Sequence, residues 1–352
     1  MLDQLSDELH RAAADRNPLR LLDTLPRLYA AARSADEPAL SAVLARIGDL
    51  FERVPVRIGA RLGVLCGALA ELGGDPEPVA APLVAELADC LELAGTFAAH
   101  WRTATGEAPP EPVADDHDWT EAAADRLAAA PLTREAAVEL ADAWSMAHLR
   151  SLPVLSILQL SPRLRHALPG RERLIAALGT VLDERPDLEF LAGLLRVLDD
   201  ERLIVLHRPT GRGYEVVIGG VGDNAQLHTL LADVLSGPDA EGLLEGVRPD
   251  PAWVRAATDG PADPAAAPTV RGAFALLDGR GGPIWGEGRP ADIPRLAGVR
   301  VLVLDRPAYE RSWRAGRTFP LMRPDVRLRR ILPATEAAGW LSRVARETRV
   351  PA

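Results

Sequence analysis

The sequence predicts an α+β protein, with an N-terminal all-helical bundle or irregular solenoid followed by a smaller mixed α/β domain whose sheet has about five or six strands. Three observations point there. Up to residue 200, apolar residues recur at three- and four-residue steps between proline and glycine breaks. From residue 201 the texture turns to short β-rich runs bounded by turn residues. A chain of 352 residues, 47% hydrophobic and 26% charged, has the length and composition of two modest packed domains.

The helical elements follow in order. Between Asp36 and Arg53, Leu40, Val43, Leu44, Ile47, Leu50 and Phe51 share one helical face after an Asp36 cap. A second helix opens at Pro55 and carries Ile58, Leu62, Leu65, Cys66, Leu69 and Leu72 to the Gly73, Gly74 stop; a third runs through Leu83, Leu87, Leu91 and Phe97. Residues 1–102 form one helical subdomain on this reading. Residues 103–118, with Pro109, Pro110 and Pro112 and an acidic cluster, form an exposed connection. Asp118 and Glu121 have capping-box spacing and open a second subdomain over 119–200. Its helices are expected at 120–130, 134–149, 153–167, 171–184 and 187–199, with breaks at Pro131, Pro153, Pro169 with Gly170, and Pro186. No fixed period supports a true repeat array.

The remaining domain covers 201–352. Residues 202–207 and 214–218 flank a Pro- and Gly-containing turn and predict a β-hairpin. Asp223 or Asn224 starts a helix over 225–235, and a linker is expected near 257–268. Strands follow at 270–277, 299–304 and 326–331, then a closing helix over 335–348. The run Val299–Leu304 is apolar at nearly every position, as expected of a strand covered on both faces.

Composition removes several mechanisms. The chain contains no lysine, so all 40 of its basic residues counted as Lys plus Arg are arginine. Schiff-base aldolases, pyridoxal-phosphate enzymes using their own lysine, Walker-A nucleotide sites and kinase-type sites all need that ε-amine. A GC-rich genome would account for the bias, and the exclusion holds whatever its origin. A net charge of -10 argues against general nucleic-acid binding. No apolar run is long enough for a membrane span, and residues 1–15 lack a signal-peptide core, which together predict a cytoplasmic protein. Cys66 and Cys90 fall on apolar helical faces and read as core residues. Neither a cofactor nor a metal is expected: the seven histidines are scattered, and only Asp115, Asp116, His117 and Asp118 gather ligand-type groups.

Four clusters carry candidate chemistry. Residues 219–228 place Asp223, Asn224 and His228 at a strand-to-helix turn, where free N–H groups suit an anion; the alternative is a plain N-cap and tight turn. Asp278 and Asp305 each end a strand and would meet at one sheet edge if the two strands run parallel; the alternative is two turn aspartates. Residues 284–294 combine Trp285, Glu287 and Arg289 with a rigid Gly/Pro backbone, suited to ligand contact or to a core cap with a surface ion pair. Finally, Arg306, Arg311, Arg314, Arg317, Arg323, Arg327, Arg329 and Arg330 interleave with Tyr309, Trp313 and Phe319, a pattern suited to carboxylate, phosphate or nucleic-acid recognition. Salt bridging to the chain's own acidic helical half is the competing use of those arginines.

These clusters predict an accessory binding protein. The α+β domain would recognise an anionic small molecule or peptide, or a partner protein, through Asn224, Trp285, Arg289, Tyr309, Arg311, Trp313, Arg314 and Arg317, with the helical half as docking surface. The alternative is a lysine-independent lyase, cyclase or hydrolase using Asp223, His228, Glu287 and Asp305 as acid/base groups. Nucleic-acid binding by the basic segment is a third reading.

Overall fold

The computed structural model describes residues 1–54, 56–113, 116–128, 132–261, 269–307 and 309–347. The chain divides into two compact units, Met1–Leu195 and Arg196–Ala352. The expected α+β class is what the structure has, with helices first and a mixed sheet after them.

The first unit contains α1 (Leu2–Ala14), α2 (Pro18–Ala32), α3 (Glu37–Gly48), α4 (Val56–Glu71), α5 (Glu77–Thr105), α6 (His117–Leu127), α7 (Arg134–Leu160), α8 (Pro162–His166), α9 (Arg171–Gly179) and α10 (Glu189–Leu194). Side-chain caps fix several starts: Asn17 accepts from Arg20 N, Asp36 from Ala39 N and Thr133 from Ala136 N. Gly106, at φ 72°, ends α5 in the left-handed conformation. The long helices α5 and α7 pack together, with α4 and α6 also against α7. Phe97 stacks 5.3 Å from Trp144 and 5.5 Å from Trp101 at this centre.

Three expectations for this unit are corrected. The break at Pro153 is absent, and α7 runs through it. Proline removes one helical N–H, but Gly63 and Gly67 of α4 let that helix lie against the Pro153 ring, so tertiary packing holds the turn. A Cβ built on Gly67 would sit 3.0 Å from Pro153 Cα. The cap of α6 is Asp116, not Asp118: its Oδ1 accepts Trp119 N at 3.0 Å, and Thr120 Oγ1 bonds back to Asp116 O at 2.8 Å. The helices expected over 171–184 and 187–199 are the shorter α9 and α10. Between them the fully buried Arg185 pairs with both oxygens of Asp187 at 2.8 and 2.7 Å and donates to Trp144 O.

The second unit holds β1 (Glu201–His207), β2 (Arg212–Gly219), α11 (Asn224–Leu235), α12 (Pro251–Thr258), β3 (Thr269–Arg271), β4 (Ala275–Asp278), β5 (Arg295–Leu296), β6 (Val299–Asp305), β7 (Ser312–Arg314), β8 (Asp325–Ile331) and α13 (Ala334–Glu347). The main sheet has the order β4-β6-β1-β2-β8, with β5 also on β6. β1 and β6 are parallel and the other pairs antiparallel. Strand alternation divides the core in two. Leu203, Val205, Leu302 and Leu304 face one way with Leu227 and Leu231 of α11. Ile204, Leu206, Val301 and Val303 face the other with Ala337, Trp340 and Val344 of α13. The apolar run of β6 is thus covered on both faces.

The strand expected over 270–277 is split. β3 leaves the main sheet and pairs with β7 as a separate two-stranded ribbon, while β4 alone joins β6. The linker expected near 257–268 covers the end of α12, and its residues 262–268 lie outside the described residues. No helix among the described residues is long and apolar enough to cross a membrane.

Candidate functional site

The start of α11 is built from short-range rules. Asp223, extended at φ -143°, accepts Gln226 N at 2.7 Å as the N-cap. Its second oxygen accepts the Thr318 hydroxyl. The Gln226 side chain accepts Gly222 N at 2.8 Å and donates to Ala257 O at 2.6 Å, tying the preceding turn to α12. The free helical N–H groups expected here for an anion are therefore used. Asn224 N donates to Gly288 O at 2.8 Å and Ala225 N to Gly286 O at 3.0 Å. A loop some sixty residues away closes the helix end, so this helix start is not the anion-binding element. Gly288 permits the approach, since a Cβ there would lie 2.9 Å from Asn224 Nδ2.

That loop, 285–289, and the segment 309–318 enclose a cavity of about 700 Å³ with the first turns of α11. Asp223, Asn224, His228, Trp285, Glu287, Arg289, Tyr309, Arg311, Trp313, Arg314 and Arg317 all line it. Three stretches far apart in sequence thus meet. Among the acid/base candidates Asp305 lies elsewhere: it accepts from Arg208 Nη1 at 2.7 Å and from Arg306 N at 2.8 Å at the end of β6. The paired-acid arrangement with Asp278 does not form, because β4 and β6 are antiparallel and place Asp305 opposite Ala275 but Asp278 opposite Leu302. Asp278 is a turn former, accepting Arg280 N and Gly282 N.

Two of the three acid/base candidates within the cavity, His228 and Asp223, are engaged in hydrogen bonds. His228, 5% exposed, accepts Ala273 N at 3.1 Å and Phe274 N at 3.2 Å on Nε2. Two donors on one lone pair leave Nδ1 to carry the ring hydrogen. The ring lies 5.8 Å from Phe274 and 4.8 Å from Trp313. Burial, with Arg311 adding repulsion, pulls its pKa down to about 4. To act as a base His228 would have to give up its backbone donors, whereas Asp223 accepts one hydrogen bond on each oxygen and is held as the helix cap. Glu287 is exposed at the rim.

Six of the candidate arginines fall into two groups. On β8, Arg327 pairs with Asp200 and Asp325, and Arg330 with Glu215 and Glu336. All four carboxylates belong to the second unit, so it is not the helical half that neutralises them. Among the described residues, none of Arg289, Arg311, Arg314 and Arg317 is in an ion pair. Arg311 lies between two rings, 5.2 Å from the Trp285 centroid and 4.9 Å from that of Tyr309, and donates to Tyr309 Oη at 2.6 Å. Arg317 donates to Gly260 O at 2.7 Å, while its Nε and Nη1 are shielded and have no acceptor. Burial lowers the Arg317 pKa, with Asp259 opposing. Trp313 donates through Nε1 to Thr229 Oγ1 at 3.3 Å and packs with Val270 and Ala315.

No family model, curated protein or solved structure matches the chain. Function is read from the cavity itself. Sequence reasoning missed Thr318, Gln226 and Thr229, which hold the cavity wall through side-chain hydrogen bonds to residues far away in the chain or across a turn. No local pattern marks such partners. Among the described residues, no group of three or more His, Cys, Asp or Glu side chains is placed to hold a metal ion, and Asp115 lies outside them.

Proposed function

We propose that the second unit captures a small anionic ligand in this cavity, as an accessory binding protein with the helical unit as its docking face. One observation carries the reading: four guanidiniums line a single concavity with no carboxylate partner among the described residues. Arginine left beside a cavity without an ion-pair partner is suited to bidentate recognition of carboxylate or phosphate. Arg317 adds to this, because shielded guanidinium nitrogens without acceptors are disfavoured by about 1–3 kcal/mol each until something accepts from them. A volume near 700 Å³ suits a small molecule or the tip of a peptide. The occupied lone pair of His228 favours binding over acid/base chemistry.

Thermal unfolding of the full chain in inorganic phosphate, against chloride at matched ionic strength, tests the reading. Phosphate is expected to raise the melting midpoint of the wild type, and Arg314→Glu is expected to shrink the rise to the general salting-out effect of phosphate. Equal midpoints in the two salts, or a rise undiminished by the substitution, overturn it.

A further inference from the structure

The cavity asks for more than a negative charge. Its lining carries four arginines against two carboxylates, Asp223 and Glu287, which leaves a surplus of two positive charges. A carboxylate meets half of that surplus, whereas a phosphate monoester carries about two negative charges at neutral pH. At the same cavity two large aromatic side chains are turned to solvent, Trp285 at 58% and Tyr309 at 56% exposure. Exposing such rings is unfavourable, and beside arginines they form the kind of surface on which a planar group stacks. A third feature is Asn224, only 4% exposed: its Nδ2 is held by Trp285 O at 3.0 Å, while its Oδ1 accepts no hydrogen bond. The amide orientation is fixed by that carbonyl, so the unpartnered atom is an acceptor and calls for a ligand N–H or O–H.

A planar ring, a hydrogen-donor edge and a doubly charged phosphate coincide in one ligand class. We infer that the cavity binds a mononucleotide, its base stacked at Trp285 and Tyr309 and donating to Asn224 Oδ1, its phosphate held by Arg314 and Arg317. This rests on the anion-capture reading and narrows it. Phosphate is held without a lysine and without the amides at the start of α11, which Gly286 and Gly288 already occupy. The site is thus unlike a phosphate loop.

Calorimetric titration of the full chain separates the parts of the inference. The probes are the 5′-monophosphates of adenosine, guanosine, cytidine and uridine, with adenosine as the base without phosphate and ribose 5-phosphate as the phosphate without base. At least one nucleotide is expected to bind about tenfold or more tighter than both fragments. Trp285→Ala is expected to weaken that nucleotide about tenfold while leaving ribose 5-phosphate unchanged, and the exposed position of Trp285 protects the fold from the change. If ribose 5-phosphate binds as tightly as every nucleotide, the nucleotide inference falls and anion capture stands. If adenosine binds as tightly as its monophosphate, or if no probe binds, both fall.

Discussion

His228 is expected to resist protonation until well below the range of a free imidazole, and its substitution isolates the effect. A proton on Nε2 would displace the amide hydrogens of Ala273 and Phe274 and place a charge in a site 5% exposed, with the Arg311 guanidinium nearby. The folded pKa of about 4 lies below the ordinary value of 6.5. Between those two values the unfolded chain binds this proton and the folded chain does not. Stability is therefore full above the unfolded pKa and falls as the solution is acidified towards the folded one, by roughly 1.4 kcal/mol per pH unit and roughly 3 kcal/mol in all. His228→Gln provides the control, since its side-chain carbonyl accepts from the same amides without titrating. Urea unfolding of both proteins near neutral pH and again at about pH 4.5 gives the measurement. At about pH 4.5, just above the folded pKa, the wild type is expected to have lost roughly 2.5 kcal/mol more than the variant, and ring NMR resonances assigned by the same substitution are expected to stay neutral to about pH 5. Equal acid losses, or an imidazole titrating at 6 or above, refute the reasoning.

Two further outcomes follow from the packing. Asp187→Ala leaves Arg185, 1% exposed, with Trp144 O as its one remaining acceptor among the described residues, so the first unit is expected to lose about 3–5 kcal/mol in urea unfolding; a loss under about 1 kcal/mol would contradict this. Gly222→Ala places a Cβ 2.8 Å from that of Thr318 and is expected to lower stability by about 1–3 kcal/mol, whereas Gly316→Ala, with nothing within 4 Å, is expected to leave the thermal midpoint unchanged even though both glycines line the cavity.

The class of the fold was legible because hydrophobic period changes near residue 200, and β6 was legible as a doubly covered strand because Val301 to Leu304 leave no polar face. The three segments that line the cavity were each legible as chemically unusual, since tryptophan, arginine and fixed backbone in turns are uncommon in plain connections, but their meeting was not. What the sequence hid was every relation set by distant partners. The fate of the helical amides at Asn224 and Ala225 depends on carbonyls of Gly286 and Gly288, and the direction of β4 against β6 decides where Asp278 lies. Continuation of α7 through Pro153 likewise depends on glycines 86 and 90 positions earlier, Gly67 and Gly63. Local propensity treats each of these as a free end, a free edge or a break.

The division among the arginines shows how strand pairing governs which charges remain for a ligand. β8 runs along β2, and the register sets Arg330 directly opposite Glu215, so opposite charges across the ladder meet and are spent on the sheet. β7 pairs instead with β3, where Arg314 faces Thr269 and Trp313 faces Val270. No carboxylate stands across from Arg314, and Glu310 at the ribbon's end is taken up by Arg271 at 3.4 Å. Arg327 and Arg330 are thus structural where the stretch enters the main sheet, and Arg314 is unneutralised where the stretch forms the separate ribbon beside the cavity. Placing an acid opposite Arg314, as in Thr269→Glu, should convert the second situation into the first: the cross-strand pair would draw the guanidinium away, and phosphate stabilisation of the full chain should shrink while its melting midpoint in chloride stays level or rises. Undiminished phosphate stabilisation in that variant would show that Arg314 does not depend on its neutral neighbour, and the link between strand pairing and free charge would fail.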